Sequence, residues 1–156
     1  MFTDREIISV VEMLKNENLD VRTVTLGLNL LDCASDDIGR FTENIYTRIT
    51  TAARDLVQIC DEVGDKYGIP VVNKRISVSP MAVAGAPFNA EQMVAVAKAL
   101  NEAATDTGVD FIGGFSALVE KGLAKGDRAL IDALPQALTD TQRVCASVNV
   151  APTRAG

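Results

Sequence analysis

Val71-Val72-Asn73-Lys74-Arg75-Ile76-Ser77-Val78-Ser79 decides the fold. Val72, Lys74, Ile76 and Val78 alternate with Asn73, Arg75, Ser77 and Ser79, so a strand here carries one largely apolar side and one polar side. Gly68 and Pro70 lie just upstream, and a glycine past the last turn followed by a proline is a helix stop. The helix they end reads as one long segment. Its stripe runs Ile38, Phe41, Ile45, Ile49, Ala52 or Ala53, Leu56, Cys60, Val63 and Tyr67, with Ser35 or Asp36 as the cap.

Further upstream the period returns to two over Val21 to Leu30. Val24, Leu26, Leu28 and Leu30 oppose Thr23, Thr25, Gly27 and Asn29, which predicts another one-sided strand. Before it, Thr3 and Glu6 form a capping box, and Ile7, Val10, Val11 and Leu14 stripe a helix to about Glu17. Downstream of Ser79, Asn89 and Gln92 form a second capping box, and Met93, Val96, Ala97 and Leu100 predict a helix ending near Gly108. Val109 to Phe115 reads as a third strand broken at Gly113 and Gly114, with Ser116 capping a short helical segment through Glu120. A helical stretch follows over Asp127 to Leu134, kinked or restarted at Pro135. The last strand, Arg143 to Val150, sets Val144, Ala146, Val148 and Val150 against Arg143, Cys145, Ser147 and Asn149.

Strands alternating with helices predict the α/β class, a parallel or mixed sheet with helices on one face. A chain of 156 residues makes one domain of ordinary size. The hydrophobic fraction of 47% argues against disorder. Fifteen basic against 21 acidic residues leave a net charge of -6, and Trp is absent, so a nucleic-acid backbone is not an expected partner. No apolar run is long enough for a membrane, and no signal segment is read at the N-terminus, so a cytoplasmic protein is expected. Three cysteines without a CxxC pair argue against a disulfide framework. The absence of His removes the usual general base and the commonest transition-metal ligand, and neither Asp36-Asp37 nor Asp61-Glu62 has converging ligand spacing. No metal is expected, and the sequence specifies no cofactor.

Asn73 to Ser79 (NKRISVS), Gly108 to Leu118 (GVDFIGGFSAL) and Val144 to Asn149 (VCASVN) occur in order with Val21 to Thr25 and Leu31-Asp32-Cys33. Together they resemble an uncharacterised bacterial and archaeal family of pyruvate formate-lyase-like proteins, a domain of unknown function. The resemblance covers nearly the whole chain. It implies that residues 1–156 are the N-terminal part of a longer protein, with a fold similar to half of the α/β barrel of glycyl radical enzymes. The Arg-Val-x-Gly-Tyr loop of those enzymes is absent here, so no radical activity follows, and fold likeness alone does not carry function. Genes of this family often lie beside one for an ACT-domain protein, which the resemblance offers as a partner.

The polar strand sides suggest where chemistry sits. If helices cover the apolar sides, Asn73, Arg75, Ser77, Ser147 and Asn149 line a common space suited to a carboxylate or phosphate, with Arg75 offering a bidentate fork. A simply solvated sheet face would read the same way. Breaking a buried charge pair costs on the order of 3 to 5 kcal/mol, so Arg75 is exposed, paired to Asp32 or Asp110, or open to an anion. Cys145 shares the polar side and is the first candidate for nucleophilic work; Cys33, in a loop after a strand, is the second. Each also reads as a small inert residue. A small-molecule-binding domain, with or without catalysis, is expected; a regulatory or structural module without chemistry is the alternative. The last strand has no following helix to cover it, which suggests a homo-oligomer or a longer chain.

Overall fold

The computed structural model describes residues 3–16 and 20–151. The helix end expected at Glu17 and the residues from 152 onward lie outside that range. Helix α1 (Asp4–Lys15) starts from the expected box, in which the Thr3 N–H donates to Glu6 Oε2 at 2.8 Å. Strands β1 (Val21–Leu28), β2 (Val71–Val78), β3 (Phe111–Leu118) and β4 (Val144–Asn149) form one sheet in that order. Every neighbouring pair is parallel. The sheet is therefore parallel, which the sequence had left open against a mixed one. The connecting helices pack on the side of the sheet that carries Ile76, Val78, Ile112 and Phe115.

The connecting helices are α2 (Ile38–Ala52), α3 (Leu56–Tyr67), the short α4 (Met81–Ala84), α5 (Ala90–Asp106) and α6 (Lys125–Asp140). Phe41, Ile45 and Ile49 of α2, Met93, Val96 and Leu100 of α5 and Leu130 of α6 share one core with Ile76, Val78, Ile112, Phe115 and Ala117 of the sheet. Each of these side chains larger than alanine contributes about 1.5 to 3 kcal/mol through burial. The rings of Phe41 and Phe88 meet at 5.0 Å and tie α2 to the segment leading into α5.

Three expectations are corrected. The long helix is two: the Ala53 N–H donates to Ile49 O and the Leu56 N–H to Ala53 O, and the chain turns between them. The reason is tertiary, because α2 packs on α5 while α3 packs on β2. Residues of adequate helix propensity at the break gave no warning. Second, Ser116 caps no helix; it lies inside β3, and its hydroxyl donates to Gly114 O at 3.4 Å. Third, α6 runs unbroken through Pro135, from Lys125 to Asp140.

Strand starts are fixed by side chains that accept backbone N–H groups. Asp110 Oδ2 accepts from the Lys74 N–H at 2.7 Å, and the Asp110 N–H donates to Lys74 O at 2.8 Å. Asn101 Oδ1 on α5 accepts from the N–H groups of Gln142 and Arg143, each at 3.0 Å, just before β4. At the other end of β3, Asp127 accepts from the N–H groups of Leu118 and Ala124 and joins the strand to the first turn of α6. Gly68, at φ +68°, ends α3 as expected.

Candidate functional site

The parallel register lines up the polar side in rows. Thr25, Arg75 and Phe111 form one row, and Gly27, Ser77, Gly113 and Cys145 form the next. Ser116 and Ser147 follow, then Leu118 and Asn149. Thr25, Gly27, Arg75, Ser77, Cys145, Ser147 and Asn149 are exposed, whereas Ile76, Val78, Ile112 and Val144 between them are buried. Two faces of opposite character are thus realised, as the alternation predicts.

The phase of β3 depends on a bulge. Pairing passes from Gly113↔Cys145 to Phe115↔Ala146, leaving Gly114 as the extra residue. The bulge puts Phe115 and Ala117 into the core. It leaves Ser116 in register with Ser147. Gly114 sits at φ +117°, and a Cβ there would fall 2.5 Å from the Val78 carbonyl oxygen. Close packing against β2 therefore accounts for this glycine. Gly27 and Gly113 differ, because a Cβ on either would meet nothing within 4 Å.

Arg75, Ser77, Cys145 and Ser147 come together on adjoining rows. From strand spacings, the Cα atoms of Arg75 and Cys145 lie on the order of 12 Å apart. Asn73 and Asn149 are at opposite ends of the face, separated by roughly 25 Å, so one small ligand cannot reach both. Asn73 also donates its amide to Arg22 O at 3.1 Å. The residues share a face, and the described residues leave that face open.

Arg75 makes no ion pair among the described residues. Asp110, one of its two expected partners, holds the Lys74 N–H instead. The guanidinium lies over the Phe111 ring, 5.5 Å from its centroid. Phe111 was not foreseen as a site residue, because in the sequence it reads as one more strand aromatic. Its alternation with Ile112 was the usable signal.

The three thiols are free and differ in access. Cys33 lies in the 3-10 turn Leu31–Cys33 and belongs to the buried core, away from the polar face. Burial pushes its thiol above the usual range, against a smaller opposing pull from Arg48. Burial likewise raises the Cys60 thiol. Cys145 is exposed.

Comparison with known proteins now places the chain. Residues 12–156 match the family described as Uncharacterised ACR (DUF711). The chain belongs to the DUF711 family. It is 64% identical over all 156 residues to a UPF0210 protein of Oleidesulfovibrio alaskensis, covering 34% of that protein. A UPF0210 protein of Streptococcus equi subsp. equi is 54% identical over 97% of this chain, and one of Methanosarcina mazei is 50% identical over all of it. Each of those alignments likewise covers 34% of the relative, so the chain spans about a third of the length of these DUF711 proteins. No helix among the described residues is long and apolar enough to cross a membrane.

Proposed function

We propose that the polar sheet face is one wall of a small-molecule site for a carboxylate or phosphate, closed in the full-length DUF711 protein by the remaining two-thirds of the chain. The observation that carries this reading is Arg75, an arginine without an ion pair among the described residues, in the middle of a face of small polar groups. Gly27 and Gly113 support it. Glycine inside a strand weakens it by about 0.5 to 1 kcal/mol, and neither position needs a glycine for space. A strand glycine marks a bulge, as beside Gly113, or close approach by a ligand or another backbone, which is the reason left for Gly27.

The half-barrel reading belongs with this proposal. Parallel strands in chain order with helices outside are the pattern of α/β barrels, whose inner surface is the strand side turned away from the helices. A barrel like that of pyruvate formate-lyase would turn Arg75, Ser77, Cys145 and Ser147 inward. The reading stops at binding. Residues 1–156 contain no histidine to activate Cys145, so thiol chemistry in this segment has no base among its own side chains of the usual kind.

A thermal-shift panel of carboxylates and inorganic phosphate on the full-length native protein tests the proposal. At least one anion is expected to raise the unfolding midpoint by several degrees, as a ligand at about 100 times its Kd adds about 2.7 kcal/mol. Silence across the panel would contradict it. Turnover of the same anion that is lost in Cys145→Ser would convert the reading from binding to catalysis.

A further inference from the structure

We infer that Phe111 is a positioning residue, which holds the Arg75 guanidinium in place for an anion on the sheet face. The inference rests on the binding reading above and names a second residue for that site. Phe41, Phe88 and Phe115 are fully buried, at 0%, 1% and 0% exposure, whereas Phe111 remains 38% exposed in a row with Thr25 and Arg75. Packing among the described residues therefore does not account for an aromatic residue at this position. The guanidinium lies 5.5 Å from the ring centroid, within range of a cation–π contact. That contact leaves the N–H fork without a carboxylate, since no ion pair to Arg75 occurs among the described residues.

A free arginine on a sheet face samples many rotamers and must be ordered when it grips a ligand. An arginine already resting on a ring has lost part of that freedom before binding, so affinity rises without any new contact to the ligand. On the other side of Phe111 along β3, Gly113 keeps the next row low and leaves room beside the fork. Phe111 thus touches Arg75 while the anion touches Arg75.

Calorimetric titration of the full-length native protein with benzoate and with inorganic phosphate tests this, using wild type, Phe111→Leu, Phe111→Tyr and Arg75→Ala. Phe111→Leu is expected to weaken binding about two- to fivefold, the range of an exposed cation–π contact, and Phe111→Tyr to restore it to within about twofold. The Arg75 Nε–H proton resonance should carry an upfield ring-current displacement that Phe111→Leu removes and Phe111→Tyr keeps. If Arg75→Ala loses binding while Phe111→Leu binds as wild type, the positioning role is overturned and the binding site stands. If wild type binds neither probe, the binding reading falls and the inference falls with it.

Discussion

Replacing Gly114 by alanine is expected to destabilise the protein by about 3 kcal/mol or more, while the same change at Gly113 is expected to be neutral or to stabilise by up to about 1 kcal/mol. Two effects add at Gly114. The new Cβ would lie 2.5 Å from both the oxygen and Cγ2 of Val78, and backbone on a neighbouring strand cannot give way as a flexible side chain can. The residue also sits at φ +117°, where an L side chain is strained by about 1 to 3 kcal/mol. Gly113 has neither problem, since nothing lies within 4 Å of its Cβ position. Equilibrium urea unfolding measures both variants. For a chain of 156 residues that unfolds in one step, a loss of about 3 kcal/mol lowers the thermal midpoint by roughly 6 to 12 °C. The consequence reaches the site, because a β3 without its bulge would shift phase by one residue and carry Ser116 to the helix side. Equal effects at the two glycines would mean that the bulge is not where the register puts it.

Arg75→Ala is expected to weaken anion binding by roughly ten- to a hundredfold, the equivalent of about 1.5 to 3 kcal/mol for hydrogen bonds to a charged group. Folding stability should fall by no more than about 1 kcal/mol, the worth of the exposed contact with the Phe111 ring, because the side chain holds no ion pair among the described residues. The separation of the two effects is the diagnostic feature. Arg75→Lys should fall between wild type and Arg75→Ala, since it keeps the charge but loses the planar fork. Calorimetry with inorganic phosphate reads the affinities, and urea unfolding reads the stability. A large stability loss in Arg75→Ala with unchanged phosphate affinity would assign the residue to the fold.

The strands were legible because β4 alternates throughout between a packed side and a polar side, and β1 and β2 do so from Val24 and from Lys74 onward. The helix starts at Thr3 and Asn89 were legible because their boxes are made within four residues. Features set by distant packing were not. The turn at Ala53 follows from α2 and α3 packing on different partners, which no local pattern encodes. Ser116 looked like a cap because serine is a favoured first residue ahead of a short helical run such as Ala117 to Glu120, and only the cross-strand register with Ser147 reveals it as a strand residue. For the site, alternation placed Arg75, Ser77, Cys145 and Ser147 on one face, but it carried no information on spread, so Asn73 and Asn149 joined the same set from opposite ends. Cys33 was drawn in by its loop position, whereas the 3-10 turn folds its thiol into the core.

Alkylation of Cys145 by iodoacetamide, followed peptide by peptide in the full-length native protein, tests most directly whether Arg75 and Cys145 border one ligand. Cys145 should react faster than Cys33 and Cys60, because it stands on a face that admits a small molecule while burial raises the thiols of the other two. Saturating benzoate or phosphate is expected to slow the Cys145 reaction several-fold in wild type and to leave it unchanged in Arg75→Ala. A Cys145 rate indifferent to every bound anion in wild type would contradict a shared site.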